Sequence, residues 1–150
     1  MTMTVDSAKK ILNIAAVIHL IGGILMIVVG ILGLSGTAAA SVAPEIAESL
    51  AEAGPMTAGA VMALSAVILV IGFLATVEGV LARRAAKDPA KVMPVWYLSI
   101  VLLVVNVIGL ILPAVTGNLA ISSAIGSIIE ILFAALVFRA ADSIKKELGK

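Results

Sequence analysis

The 150-residue chain is 62% hydrophobic and 13% charged, with a formal net charge of +1. A water-soluble domain carries about twice that charged fraction, and a globule this small has too little interior to hide so much apolar surface. A bilayer can take it up. The lack of cysteine excludes a disulfide framework, a thiolate nucleophile and a cysteine metal centre.

Residues 1–10 form a short polar tail ending in Lys9-Lys10, read as an inward extension of the first helix. The first apolar run, Ile11 to Leu34, reaches the roughly 20 residues that a helix needs to cross about 30 Å of hydrocarbon. Lys9-Lys10, the apolar run and "TAAASVAPE" together imitate a secretory signal. The run is longer than the usual core of about 7–15 residues, so a retained signal anchor is expected. Positions three and four apart share a helix face, which aligns Ala15, His19, Gly22, Met26, Gly30 and Gly33. Helices associate in lipid through small residues and polar contacts, so this stripe is predicted to face inward, with the histidine on the glycine side.

The segment "SGTAAASVAPEIAESLAEAGP" follows. Pro44 suits a helix's first turn, Glu45, Glu48 and Glu52 give a solvated face, and Gly54-Pro55 ends the element. A short helix on the outer surface is predicted. The second span, residues 56–82, offers Ala58, Met62, Ser65, Gly72, Thr76 and Gly79 on one stripe. Glu78 lies roughly 6 Å in from the inner end, where it could turn toward Arg83, Arg84 or Lys10.

The loop "RRAAKDPAKVMP" is basic and is expected to meet lipid headgroups. Asp88-Pro89 reads as an N-cap and first helical position, and Pro94 can open the third span in the same way. Trp96 and Tyr97, with Arg83 and Arg84, stand at this boundary as interface anchors. The third span, 95–115, aligns Ser99, Asn106, Gly109 and Pro113, before a tight "TGN" turn. The fourth, 119–138, aligns Ser123, Ser127, Glu130 and Ala134, and "ADSIKKELGK" continues as a polar helical tail. No internal repeat is visible.

All ten Lys and Arg fall on one side of this four-span arrangement, while the two opposite loops hold only Glu45, Glu48 and Glu52. The positive-inside rule then puts both termini and the middle loop in the cytoplasm, with the cell's inner (plasma) membrane as the expected location. The predicted fold is all-α: one up-down four-helix transmembrane bundle with the short outer helix. The basic residues are accounted for by topology, so nucleic acid is not expected as a partner.

Four spans with a longer first outer loop and a short second one resemble claudin-like and other tetraspan proteins in topology. The first outer loop lacks the tryptophan motif and cysteine pair of claudins, so no junction role is implied. The "RAAKDPAK" loop leading into a proline-started span resembles small uncharacterised bacterial four-span membrane proteins. That likeness covers about a third of the chain and implies no activity.

Counting inward from the cytoplasmic ends, His19 lies roughly 12 Å deep, Glu130 roughly 13 Å and Asn106 roughly 16 Å. In an up-down bundle the first and last helices are neighbours, so His19 is expected to meet Glu130. A structural pair that fixes helix register is the preferred reading, and a proton or ion relay is the alternative. One His and one Glu without His-x-x-His or Glu-x-x-His spacing fall short of a metal ligand set, so no metal or cofactor is expected. No nucleophile–base pair or phosphate loop is visible, and enzymatic activity is not expected. The expected role is a packing, scaffold or accessory subunit acting through homo-oligomeric or hetero-complex helix contacts. A small proton- or ion-coupled transporter or channel using His19, Asn106 and Glu130, with Glu78 as inner gate, is the alternative.

Overall fold

The computed structural model describes residues 3–35, 58–115 and 121–149. Among these the structure is helical without strands: α1 Val5–Leu34, α2 Ala58–Lys87, a 3-10 turn Pro89–Lys91, α3 Val92–Val115 and α4 Ile121–Glu147. All four α-helices are long and apolar enough to cross a membrane. The chain is a multi-pass integral membrane protein with a tetraspan helical arrangement. The predicted outer helix over Pro44–Gly54 and the "TGN" turn lie outside the described residues.

The helices outrun the apolar segments that seed them. At 1.5 Å per residue the 30 residues of α1 extend about 45 Å, well beyond the hydrocarbon. The extra length comes from the polar tail. Thr4 accepts a hydrogen bond from the Ser7 amide at 3.3 Å and donates to the Ser7 hydroxyl at 2.9 Å, which satisfies an amide that helix geometry leaves open. At the other end of the chain α4 runs through the basic tail. It stops where Gly149 takes the left-handed φ of +66° and its amide bonds the Lys146 carbonyl at 3.1 Å.

The turn between α2 and α3 follows from its sequence. Arg84 and Lys87 occupy the last turn of α2, where cations complement the helix dipole. Asp88 then caps the 3-10 turn through the Ala90 amide at 3.2 Å, Pro89 fills its first position, and Lys91 pairs back to Asp88 at 3.3 Å. Pro94 sits in the first turn of α3, where its missing N–H removes no helical bond.

The chain divides into two compact units. The first comprises Met1–Ile18 and Glu78–Lys150, so it holds portions of all four helices. Its core is built from Ala8, Leu12, Ala15 and Ala16 of α1, Ala82 and Ala85 of α2, Val92 and Val95 of α3, and Val137, Ala140, Ala141 and Ile144 of α4. All of these are fully buried. Seven of the twelve are alanines, which let the helix backbones come close, while Leu12, Ile144 and the valines fill what remains.

The second unit, His19–Val77, holds the remainder of α1 and most of α2. These two segments pack on a glycine seam. A Cβ added to Gly23 would stand 2.7 Å from the Gly72 carbonyl oxygen, and one added to Gly72 would stand 2.8 Å from the Gly23 carbonyl oxygen. Farther along, a Cβ on Gly30 would meet the backbone nitrogen of Leu69 at 2.9 Å, and one on Gly33 would collide with the Ser65 hydroxyl. The contacts step backward along α2 as they step forward along α1, so the pair is antiparallel. Ser65 and Thr76 bond back to the Val61 and Gly72 carbonyls, each at 2.8 Å, which lets hydroxyls sit in the seam without an unmet donor.

Candidate functional site

Three groups of residues stand out: the seam glycines, the intramembrane polar side chains and an aromatic cluster at the polar end of the first unit. The first follows from the packing. Gly30, Gly33 and Gly72 lie in the seam and Gly79 is buried, but the seam passes through Gly23 and not its neighbour Gly22. A Cβ on Gly22 would meet nothing within 4 Å, and the same holds for Gly109. One residue is a rotation of about 100° around a helix, enough to take a glycine out of contact. The signal that identifies Gly23 is a seven-residue repeat, Ala16, Gly23 and Gly30, all three buried.

The intramembrane polar residues occupy unlike surroundings. Glu78, in the first unit, is 1% exposed, and both its carboxylate oxygens are shut off from the surface. Arg83, Arg84 and Lys10 are all exposed. Ser99 of α3 is fully buried and donates to the Trp96 carbonyl at 3.0 Å. His19 belongs to the second unit, is half-buried, and has its Nδ1 enclosed.

Asn106 and Glu130 belong to the first unit, and here the packing departs from the expected stripe. On α3 the inward positions run Val92, Val95, Ser99 and Leu102, all buried, then Asn106, half-buried, and Gly109, exposed. On α4 they run Ile144, Ala141, Val137 and Ala134, all buried, then Glu130, exposed. No residue from 124 to 133 is buried. The stripe is continuous in sequence, but the core beneath it ends, so Glu130 stands on an open face with Ile129 and Leu132 beside it, both more than half exposed.

The third group was only half visible in the sequence. Trp96, in the first turns of α3, donates its indole N–H to Asp142 of α4 at 3.3 Å. Lys146 pairs with the same carboxylate at 2.7 Å, and the Lys145 ammonium lies 3.6 Å above the indole ring. Tyr97 meets the Trp96 ring edge-on at 5.0 Å, and Phe138 lies 5.9 Å away. Asp142 lies past Arg139, in the polar extension of α4 beyond its apolar span. The hydrogen bond from Lys146 holds its carboxyl below the usual aspartate range, helped by Trp96 and by the charges of Lys146 and Lys145 and opposed by desolvation. The signal missed in the sequence is the spacing of Asp142, Lys145 and Lys146, which places both ammonium groups one turn from the carboxylate.

Among the described residues no three His, Cys, Asp or Glu side chains gather as a metal site. The arrangement can anchor a helix end at the membrane boundary and hold a carboxylate inside the span. Both are properties of an integral, all-α membrane protein. No protein-family signature, curated protein or solved structure matches the chain.

Proposed function

We propose that the chain is a non-enzymatic packing or accessory subunit of the inner (plasma) membrane, with both termini and the α2–α3 turn in the cytoplasm. The observation that carries this is the contrast among its glycines. Gly23, Gly30, Gly33 and Gly72 are used within the chain, whereas Gly22, Gly109 and Gly126 present open surface on helices that cross the membrane. In lipid, where apolar area alone drives little association, small residues of this kind let a second helix approach closely. The ten-to-zero distribution of Lys and Arg supports the orientation.

The test is copurification of the full-length chain from native membranes across several mild detergents, with mass measured on the intact assembly. A defined complex, homo-oligomeric or mixed, is expected. A monomer without partners in every detergent overturns the reading.

A second reading, a small proton- or ion-coupled transporter or channel, draws on the buried Glu78 carboxylate within a span, because intramembrane ionisable groups often mark ion pathways. Flux into liposomes that Glu78→Gln, His19→Ala or Glu130→Gln abolishes, with folding intact, would favour it. Flux at background level for the unmodified chain would end it.

A further inference from the structure

The last turns of α2 carry a charged face that stays exposed. Val80, Arg83, Arg84 and Lys87 stand at i, i+3, i+4 and i+7, within an arc of about 100° around the helix, and all four are exposed. Glu78, Ala82 and Ala85 point the opposite way and are buried. All seven residues belong to the first unit. From Arg83 to Lys87 is roughly 6 Å along the helix axis. That matches one headgroup layer, since a bilayer of about 40–45 Å with about 30 Å of hydrocarbon leaves roughly 5–8 Å on each side. Val80, one turn below Arg84, is apolar and meets the acyl chains.

The carboxylates nearest this face in sequence and structure are committed elsewhere. Asp88, directly after Lys87, accepts from the Ala90 amide at 3.2 Å and pairs with Lys91 at 3.3 Å, and Asp142 is held by Lys146 and Trp96. Among the described residues Arg83, Arg84 and Lys87 enter no ion pair. Membrane orientation and the helix dipole ask only for positive charge at this end, and lysine supplies that. Adjacent arginines bring something more, a planar fork that donates two parallel hydrogen bonds to the oxygens of one phosphate. A zwitterionic headgroup also carries an ammonium, which three neighbouring cations repel. An anionic headgroup does not.

We infer that Arg83, Arg84 and Lys87 form a binding site for one anionic phospholipid, selected over zwitterionic lipid. The two guanidinium groups hold its phosphate, the Lys87 ammonium adds charge from one turn farther out, and an acyl chain lies against Val80. The site is independent of the accessory-subunit reading and of the transporter alternative, because it uses the helix end and not the interior of the span.

The test is native mass spectrometry of the full-length chain, in a neutral detergent, with equal amounts of phosphatidylglycerol and phosphatidylcholine. One phosphatidylglycerol is expected to be retained with a preference of at least about tenfold, since each basic residue near a headgroup favours the anionic lipid severalfold. Replacing Arg83, Arg84 and Lys87 together by Gln should abolish the preference. Arg83→Lys with Arg84→Lys keeps the charge but not the fork, and should lower the preference severalfold. The control removes the same charge from α4, with Lys145, Lys146 and Lys150 all replaced by Gln, and should leave the preference in place. The three α2 side chains are exposed, so unchanged helical content by circular dichroism is expected for their variants. Equal retention of the two lipids overturns the inference, as does a preference that survives the Gln or the Lys substitutions in α2. An equal loss in the α4 control also overturns it, because net charge would then account for the binding. So does displacement of the lipid by excess inorganic phosphate, which would assign the site to a soluble anion. Copurification from native membranes of an acidic protein that only the α2 Gln variant loses would give the face to a protein partner instead, and would equally overturn it.

Discussion

The two units solve the same problem with different residues. In the first, four helices meet over alanines, and the space they leave is filled by Leu12, Ile144 and valines. In the second, two helix segments meet over glycines so closely that backbone touches backbone and a methyl group has no room. An alanine core tolerates small adjustments because side chains stand between the helices. A glycine seam does not, because the atoms in the way belong to the main chain. The first unit should therefore suffer most from losing volume, and the second from gaining it.

The largest effect is expected from Leu12→Ala. Leu12 is among the largest fully buried side chains, and its removal leaves a cavity worth about 2–5 kcal/mol. Trp96 is the chain's one tryptophan and lies in the first unit, so unfolding in detergent followed by its fluorescence reads this loss directly. A Leu12→Ala transition within error of the unmodified chain would show that the core is not held by filling.

Gly23→Ala probes the opposite failure. The added methyl must displace the Gly72 carbonyl and the Thr76 amide, each 2.7 Å from it, at a cost of about 1–3 kcal/mol. The control is its neighbour: Gly22→Ala finds open space and should be neutral or slightly stabilising, since alanine is the better helix former. Circular dichroism melts of the two variants provide the comparison. Equal melting temperatures would mean that the seam is looser than its geometry implies.

That pair of glycines also shows what a sequence can and cannot convey. Composition and the length of the apolar runs were enough for an all-α, four-span membrane chain, because lipid leaves a helix little alternative. Choosing between adjacent glycines was harder, since both belong to plausible small-residue stripes and only the partner helix settles which one turns inward. Glu130 shows a second limit. Periodicity gives the face of a helix but not how far along it the packing extends, so a stripe that is core at Ala134 is surface one turn earlier. The Trp96 cluster shows a third: Asp142 lies 46 residues away, on a helix whose approach to α3 the local pattern does not encode.

At the boundary cluster the expected effects are smaller. Trp96→Phe keeps most of the ring but removes the N–H that bonds Asp142 and weakens the contact with Lys145. One hydrogen bond of this kind contributes about 0.5–1.5 kcal/mol, and a cation over an aromatic ring at an exposed site about 0.5–1 kcal/mol. A loss of unfolding free energy near 1 kcal/mol is expected, measured by far-ultraviolet circular dichroism because the fluorophore is gone. No change would reduce the cluster to lipid anchoring alone.

Asp142 carries the smallest effect and the one with a pH signature. Its carboxyl is held below the ordinary aspartate value of about 3.9, chiefly by the hydrogen bond from Lys146. A depressed folded-state value means that the unfolded chain takes up the proton first as pH falls. The stabilisation is therefore fully present at neutral pH, begins to fade as pH nears the unfolded value, and is lost once pH drops through the folded one. The Lys146 ammonium is largely exposed and the Asp142 side chain partly so, which limits the contribution to about 1 kcal/mol or less. Asp142→Asn removes the charge but keeps an oxygen that can accept from the indole. At pH 7 it should lower the stability of the first unit by a few tenths to about 1 kcal/mol. The difference between the unmodified chain and Asp142→Asn should shrink when the comparison is repeated at pH 3, followed by Trp96 fluorescence. A difference that stays constant from pH 7 to pH 3 would mean that the lowered carboxyl does not stabilise the fold, and that Asp142 serves only to orient the indole at the membrane boundary.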